Sequence, residues 1–314
     1  MISRFQACLL GYAIGDALAA PVEDNLAPDL QSCEPVYYYS KPLPSHPLSH
    51  LSLGQYSDET QVMLKVSESI IESHGFNADN LIEKFVEWYQ SQKKRLEWRF
   101  PGNTMINSCR KLASGTNSKF SGTSSAGIIA SIRTIPFALV FYKQRDKLIQ
   151  AISGSCRLTH TDPRVVAVSE VLASVIEMGI IGKDFSAIGI INRALEVSTP
   201  KSQELTQKLN IIRSCLNSES SENAIETIGN SGYCVEAFAN ALYRFLKSEC
   251  DFDKTIITAA NGGGDCDAIA AMAGAMCGAF IGLGRIPQKW LDKLENCDLI
   301  KREACAIYNI ANEI

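Results

Sequence analysis

Apolar residues recur every three or four positions along most of the chain, which is the spacing of one face of an α-helix. The segment 78–92 is typical, because Leu81, Phe85, Val86 and Tyr89 fall on one side of a helix drawn through it. Strand-like alternation is nearly absent, so the sequence predicts a compact all-α protein with residues 1–314 in a single domain. The predicted helices begin at Ser3 and Ser57 and cover about 78–92, 126–152, 164–180, 184–197, 202–216, 222–230, 233–248 and 253–260.

Polar and proline-rich stretches separate these helices. Ser3 with Gln6 has the form of a capping box, in which two side chains satisfy backbone N–H groups at a helix start. Residues 34–50 are rich in Pro, Ser and Tyr and predict a long loop, and loops of this length in a compact domain are often functional lids. Residues 114–125 predict a second polar loop, and Pro287 begins a short last element.

Composition narrows the class of protein. The net charge of −4 leaves no basic surface that would indicate nucleic acid or an anionic membrane as a partner. The eleven cysteines include no CxxC pair, so they predict buried reduced thiols rather than a structural zinc site or a disulfide framework. An early glycine and aspartate at 15 and 16 do not fit a secretory signal, and we expect a cytoplasmic protein.

The longest apolar segment lies near the C-terminus. Residues 268–284 contain no charge over 17 positions, a length at the lower limit of a membrane-spanning helix. Gly274, Gly278 and Gly282 repeat the spacing of paired membrane helices, but the segment is rich in Ala and Gly and only weakly hydrophobic. It therefore predicts a central helix of a globular protein, whose small residues let neighbouring helices approach closely.

Carboxylates stand beside small residues at three places in the chain. GYAIGDALAAPVE carries Asp16 and Glu23, YSDETQ carries a serine followed by two acids, and NGGGDCDA carries two aspartates. Hard divalent cations such as Mg²⁺ take oxygen ligands, and glycines let a ligand approach the backbone. If the segments meet in the fold, they predict a site for one or two metal ions. The candidate ligands of the second and third segments are Ser57, Asp58, Glu59, Asp265 and Asp267.

Helix capping is the competing interpretation of each acidic segment. Ser, Asp and Glu are favoured in the first turn of any helix, so one such cluster alone does not indicate a metal site. Residues two apart on a helix also point in different directions. Asp265 and Asp267 can therefore converge only if the glycine-rich turn holds Asp265 outside the helix.

Two further polar motifs have a structural and a functional interpretation. THTD at 159–162 contains His160, one of only four histidines, while Asp162 is a typical cap of the helix that follows. PGNT at 101–104 predicts a turn, and in a binding site its backbone amides can face a phosphate.

Seven short motifs follow one another along the chain: GYAIGDALAAPVE, SDET, PGNT, SSAG with RTIP, THTDP, GYCVEAFANAL, and GGGDCDA before a small-residue helix. In this order and spacing they resemble the ADP-ribosylglycohydrolase family over nearly the whole chain. The resemblance implies a central cleft holding two Mg²⁺ or Mn²⁺ ions and hydrolysis of the bond between C1″ of ADP-ribose and an acceptor side chain. The implied partner is an ADP-ribosylated protein, with arginine as one acceptor, or a small ADP-ribose conjugate.

The same resemblance implies a role for each candidate residue. Metal ligation falls to two helix starts, at Ser57, Asp58, Glu59, Asp265 and Asp267. Glu23 matches the family's movable glutamate near the scissile bond and would act in catalysis together with Asp58 and Asp265. The diphosphate and riboses would contact Gly102, Asn103, Ser125, Gly127 and His160.

Several positions depart from the family's pattern. Glu59 stands where a second aspartate is usual, and Ala268 stands where the family has a threonine that binds metal. Without that oxygen, one of the two ion positions is weakened or filled by water. Phe100 replaces an aspartate, and Ile128 and Ile129 replace polar and small residues. Each change touches the cleft and can alter substrate choice, ion number or catalysis.

Two other functions compete with hydrolysis of an ADP-ribose bond. A relative that kept the fold and lost a metal would bind ADP-ribose without turnover, and Ala268 favours this hypothesis. An all-α two-metal phosphohydrolase acting on nucleotides is the third hypothesis. It ranks last, because four scattered histidines do not readily supply the ligands that such a site would need.

Overall fold

The computed structural model describes residues 1–23, 35–94, 98–216 and 221–314. No β-strand forms within these ranges, which contain helices, turns and two isolated β-bridges, so the predicted all-α class is confirmed. The helices are α1 (Ile2–Ala19), α2 (Asp58–Ser73), α3 (Ala78–Ser91), α4 (Asn103–Ala113), α5 (Ile129–Ile132), α6 (Ile135–Val140), α7 (Arg145–Arg157), α8 (Pro163–Ile180), α9 (Ala187–Ser198), α10 (Gln203–Cys215), α11 (Ser221–Ile228), α12 (Cys234–Lys247), α13 (Phe252–Ala260), α14 (Cys266–Ile281), α15 (Gln288–Leu291) and α16 (Cys297–Glu313).

Helices α1 and α14 form the centre of the protein and pack against each other at very short range. All of α14 except its last residue is buried, and so is nearly all of α1 from Phe5 onward. A side-chain carbon added at Gly11, Gly15, Gly274 or Gly278 would collide with a backbone carbonyl of the other helix. The small residues therefore permit the close approach that the sequence predicts.

Other helices cover this central pair. Helices α8, α12 and α13 pack against α14, and α16 packs against α1. Among the described residues, one helical segment, Ile2–Val22, is long and apolar enough to cross a membrane, but 89% of its most apolar window is buried inside the protein. Helix α14, for which the sequence left a membrane alternative, is shorter and equally buried. The Ile2–Val22 segment and α14 are therefore core helices surrounded by other helices.

Two local predictions about helix boundaries are wrong. Ser3 does not cap α1, because the helix already begins at Ile2, and the Ser3 hydroxyl instead accepts the backbone N–H of Leu283 at 2.8 Å. The single helix predicted over 126–152 is three helices, α5 to α7. Pro136 lies in the first turn of α6, where its missing N–H costs nothing, but it could not continue an existing helix.

Two helices were not predicted at all. The PGNT turn leads directly into α4, with Gly102 at the N-cap and Met105 and Cys109 buried one turn apart. Helix α16 extends the chain beyond the short element after Pro287 and buries residues at helical spacing, including Ile300 and Ile307. Both helices have the 3.6-residue apolar period, so the signal was present in the sequence.

The loop and cysteine predictions agree with the structure where it describes them. Residues 35–50 form turns without a helix, while residue 34 of the predicted 34–50 loop lies outside the described residues. The loop at 114–125 contains a single 3₁₀ turn, Ser118–Phe120. The cysteines among the described residues are free and mostly buried, as expected for thiols that serve as small core side chains.

Candidate active site

The three acidic segments meet at one cavity of about 440 Å³, which lies at the starts of α2, α4 and α14. A larger cavity of about 630 Å³ lies beside α12 and α13, but Glu226 is the only carboxylate among the described residues that line it. We therefore take the smaller one as the candidate active site and call it the acidic cavity. The sequence-predicted residues that line it are Glu23, Asp58, Glu59, Gly102, Asn103, Gly127, His160, Asp265 and Asp267.

The start of α2 presents one set of candidate metal ligands. Ser57 caps the helix, and its hydroxyl accepts the N–H of Glu59 at 3.2 Å. Asp58 and Glu59 follow in the first turn, and both are buried. The fully buried Asp16 of α1 fixes this turn: its carboxylate accepts the N–H of Ser57 at 2.8 Å and the N–H and hydroxyl of Thr60 at 2.9 and 2.6 Å. The central helix thus positions the helix start that carries the acids.

The start of α14 presents the second set. Gly263 and Gly264 adopt left-handed backbone angles, with φ of 66° and 63°, and a side chain at Gly264 would collide with Asn230. The turn holds Asp265 at the N-cap, outside the regular helix, while Asp267 lies in the first turn. The condition that the sequence sets for convergence of the two aspartates is therefore met, because only glycine readily adopts this turn.

Glu23 completes a group of three carboxylates. One ligand oxygen each from Glu23, Asp265 and Asp267 lies within 4.8 Å of the others. The backbone of Glu23 is held from the 35–50 loop by His46, whose Nδ1 accepts the N–H of Leu48 at 3.1 Å. The other ring nitrogen, Nε2, therefore carries the proton and donates to the Glu23 carbonyl at 2.9 Å. Sequence reasoning did not identify this role of His46.

Crowding disfavours negative charge in the acidic cavity. Burial, followed by the charge of Asp267, raises the pKa of Asp16 to about 7. Burial and then the neighbouring Asp265 raise the pKa of Asp267 to about 7 as well. The pKa values of Asp58 and Glu59 are also raised, first by burial and then by the other carboxylates. Without a cation, these groups cannot all be ionised at neutral pH.

The donor set suits a hard divalent cation. No lysine or arginine is among the described residues lining the acidic cavity, and the buried Oε2 of Glu59 makes no hydrogen bond to the described residues. A cation would give that oxygen a partner and would offset the repulsion. Ser57 can add a neutral oxygen beside Asp267. Ala268 adds none, since only its backbone N–H reaches Asp267, donating to Oδ1 at 2.7 Å.

The start of α4 and nearby segments contribute the residues predicted to contact substrate. Gly102 and Asn103 lie at the start of α4, where the backbone N–H groups of the first turn have no partner within the helix. Ser125 does not line the cavity but supports its wall, because its hydroxyl accepts from Thr104 Oγ1 at 3.1 Å and from the N–H of Gly127 at 3.4 Å. Ser57 likewise supports the lining without being part of it.

Two aromatic side chains line the acidic cavity: Phe100, which the family's pattern placed at the cleft, and Trp98, which was not singled out from the sequence. Trp98 and Phe100 line it, with 37% and 39% of their surface exposed. Phe100 has a φ of 62°, a left-handed conformation that is rare for a bulky residue and costs about 1–3 kcal/mol. Arg99 anchors the segment between them by donating to the Tyr56 carbonyl at 2.9 Å and to Glu295 at 3.0 Å. For Trp98, its position two residues before Phe100 and close to PGNT was the signal available in the sequence.

The fold is thus all-helical within the described residues, and its cleft gathers carboxylates from the ends of three helical segments. The model of the ADP-ribosylglycohydrolase family matches residues 1–313, and the chain therefore belongs to this family. The family identified by resemblance from the sequence is thus confirmed, and the protein is an enzyme that hydrolyses ADP-ribosylated substrates.

Individual relatives are similar along most of their length at moderate identity. A protein of Archaeoglobus fulgidus is 27% identical over 99% of this chain and 97% of its own. The ADP-ribosylarginine hydrolase of Serratia proteamaculans is 26% identical over 99% of this chain and 81% of its own. The ADP-ribosyl-[dinitrogen reductase] glycohydrolase of Rhodospirillum rubrum is 25% identical, over 93% of this chain and 90% of its own.

The fold also matches a solved structure. A chain of an ADP-ribosylglycohydrolase-related protein complex superimposes with a TM-score of 0.80, covering 99% of this chain and 98% of the other. At 24% identity this likeness supports the fold, and it agrees with the all-α architecture described above.

Proposed function

We propose that this protein is a divalent-metal-dependent hydrolase that releases ADP-ribose from a modified acceptor by cleaving the bond to C1″. The observation that carries the proposal is the acidic cavity itself. Five carboxylates from three segments line it, and no lysine or arginine among its described lining residues balances them. Burying such a set of carboxylates is costly unless their negative charge is balanced by a bound cation and by positive charge that develops on the substrate.

The cation would be Mg²⁺ or Mn²⁺. Asp58 and Glu59 would hold it from the start of α2, and Asp265 and Asp267 from the start of α14, with Ser57 adding a hydroxyl oxygen. When bound, the metal fixes ribose hydroxyls and makes a water molecule more acidic. Two ions are the family expectation, and Ala268 removes one ligand oxygen from the second.

The chain's own residues supply the remaining chemistry. Cleavage of a glycosidic bond builds positive charge on the ribose, and the surrounding carboxylates favour that charge. Glu23 would move a proton between water and the leaving group, because it lies beside the carboxylates but on a separate segment. The N–H groups at the start of α4 would bind the diphosphate, as helix N-termini bind anions.

Arginine is the acceptor that fits the acidic cavity best. A guanidinium is attracted both by carboxylates and by aromatic rings, and Trp98 and Phe100 line the cavity with more than a third of their surface exposed. The relative from Serratia proteamaculans is named for ADP-ribosylarginine, which supports the same choice.

A direct assay tests this function. The protein is incubated with ADP-ribosylarginine and with ADP-ribosylserine as a neutral comparison, in Mg²⁺ or in EDTA, and free ADP-ribose is measured. We expect release that requires Mg²⁺ and is faster from arginine. Thermal stabilisation by ADP-ribose with no release under any condition would instead support a binding protein. Release of inorganic phosphate from nucleotides would support the phosphohydrolase.

Ala268 is the observation that favours the impaired relative, and it can be tested separately. Ala268→Thr restores a hydroxyl in the first turn of α14, next to Asp267, and is expected to tighten Mn²⁺ or Mg²⁺ binding by about tenfold. Ala268→Val has the same shape without the oxygen and serves as the matched control. Titration calorimetry measures both. Equal affinities in the two variants would mean that the missing oxygen does not weaken the site.

A further inference from the structure

Arg133 is an arginine buried without a carboxylate partner. It is completely buried, and no carboxylate oxygen of the described residues lies within 4.0 Å of its guanidinium. Its two terminal nitrogens instead reach neutral acceptors, namely Met105 Sδ at 3.1 Å, the Ser155 carbonyl at 2.8 Å and Thr159 Oγ1 at 2.8 Å, while Nε makes no hydrogen bond to the described residues. The ring of Phe85 lies 4.7 Å from the guanidinium carbon. A buried charge held in this way is costly, so it calls for an explanation.

The hydrogen bond to Thr159 sets the direction of a short chain of hydrogen bonds. A guanidinium can only donate, so Thr159 Oγ1 is the acceptor of the bond from Arg133. Among the described residues, His160 Nδ1, 2.8 Å away, is the other hydrogen-bond partner of this hydroxyl, so the hydroxyl proton has no other acceptor and is directed to Nδ1. Nδ1 of His160 is thereby an acceptor, and the ring proton is left on Nε2.

His160 Nε2 faces the acidic cavity beside Gly127. Both residues line the cavity, and a side-chain carbon at Gly127 would lie only 3.2 Å from Nε2. Burial, together with the charge of Arg133, lowers the pKa of His160 to about 3, so the ring is neutral in ordinary buffers. For a neutral imidazole, the tautomer decides whether Nε2 offers a proton or a lone pair.

We propose that Arg133 and Thr159 are positioning residues that hold His160 as the Nε2–H tautomer, so that it presents an uncharged N–H donor to a substrate oxygen. The identity of that oxygen as one of ADP-ribose rests on the proposed function, but the tautomer does not. A neutral donor binds a diphosphate or ribose oxygen without forming an ion pair with the carboxylates that line the same cavity. It therefore leaves those carboxylates to the metal and the reacting carbon.

Nitrogen NMR of the histidine side chains tests the tautomer directly. The chain has only four histidines, and the signals of His160 are those that disappear in His160→Gln. A protonated ring nitrogen resonates far upfield of an unprotonated one. We expect Nδ1 of His160 to be unprotonated and Nε2 protonated, in metal-free protein and without substrate. A protonated Nδ1 would overturn the proposal.

A matched pair of variants tests the positioning role. Thr159→Val keeps the shape and removes the hydroxyl, whereas Thr159→Ser keeps the hydroxyl. In Thr159→Val the Nδ1 resonance should move to that of a nitrogen without a hydrogen-bond donor, and the Kd for ADP-ribose should rise about tenfold. Thr159→Ser should stay close to the wild type in both measurements.

The outcomes separate this proposal from the proposed function. If the Nδ1 resonance of Thr159→Val is unchanged, Thr159 does not direct the tautomer and the inference fails, whatever the activity of the enzyme. If the wild type does not bind ADP-ribose, the proposed function fails, and the Nδ1 resonances of the two variants still decide the role of Thr159.

Discussion

Replacing Asp265 by asparagine is expected to lower the rate of ADP-ribose release by about a thousandfold or more. The variant keeps the size of the side chain at the N-cap of α14 and removes its negative charge. That charge belongs to the group of three carboxylates with Glu23 and Asp267. Losing an anionic ligand removes several kcal/mol of electrostatic stabilisation from the transition state, and about 1.4 kcal/mol corresponds to a factor of ten in rate.

The measurement is kcat/KM on ADP-ribosylarginine at saturating Mg²⁺, with Mg²⁺ binding followed by calorimetry. Asp298→Asn is the matched control, because this substitution removes the same charge from an exposed side chain in α16. The metal-free Asp265→Asn protein should also be more stable than the wild type, since one of the repelling charges is gone. Turnover near that of the Asp298→Asn control would show that Asp265 has no part in catalysis.

The central helices and the acidic site depend on the same glycines. Gly15 packs against the backbone of Ala270 in α14, next to Asp16. The short distance between the helices brings Asp16 close enough to Asp267 for their charges to interact. A long side chain at Gly15 would separate the helices and also move the helix start that Asp16 fixes. The stripe of small residues therefore serves the geometry of the site as well as the packing of the core.

Local sequence patterns were sufficient where the information is local. The N-caps at Ser57 and Asp162 and the burial of α14 follow from capping preferences and apolar spacing, and all three are confirmed. The left-handed turn at Gly263 and Gly264 also follows from glycine's backbone freedom. Each of these features is determined by a few residues that are neighbours in the sequence.

Long-range contacts were beyond local patterns. Asp16 is a single acid inside an apolar helix, and its role depends on Ser57 and Thr60, more than forty positions away. Arg133 and His160 are joined only through Thr159, in a contact that needs α5 and α7 to be packed together. Only the family resemblance predicted that such distant positions lie in one site. The order of motifs along the chain is typical of a family that shares a fold, whereas no single residue specifies that fold.

Metal-free protein is expected to lose stability as the pH rises from about 6 to about 8, and Mg²⁺ is expected to restore it. Asp16 and Asp267 have folded-state pKa values near 7, above the value of 3.8 for an unperturbed aspartate. A raised carboxyl pKa favours the folded state below the unfolded pKa, and that contribution is lost as the pH passes the folded pKa. Two such groups amount to roughly 3 kcal/mol over this interval, or about 5 °C in Tm.

Melting curves at several pH values, in EDTA and in Mg²⁺, measure the effect. The increase in Tm on adding Mg²⁺ should be larger at the higher pH, where the carboxylates are ionised and bind the cation without releasing protons. His160 opposes this decrease at the lower end of the interval, because an unfolded histidine with a pKa near 6.5 binds a proton that the folded ring, with its lowered pKa, does not. This offsets roughly 1 kcal/mol of the decrease, so the net loss of stability is smaller than the two carboxyl groups alone would give.

Glu303 supplies the control that separates the acidic cavity from the rest of the protein. Glu303 is buried in α16, and burial, with the charge of Glu68, raises its pKa to about 8. Its ionisation therefore also lowers the stability of the folded protein as the pH rises. Glu303→Gln should therefore reduce the pH dependence of Tm in EDTA and leave the increase in Tm on adding Mg²⁺ unchanged. Asp267→Asn should reduce the pH dependence of Tm and also abolish most of its increase on adding Mg²⁺. A wild-type Tm that rises with pH in EDTA, or an Mg²⁺ response that survives in Asp267→Asn, would contradict a metal site built on these crowded carboxylates.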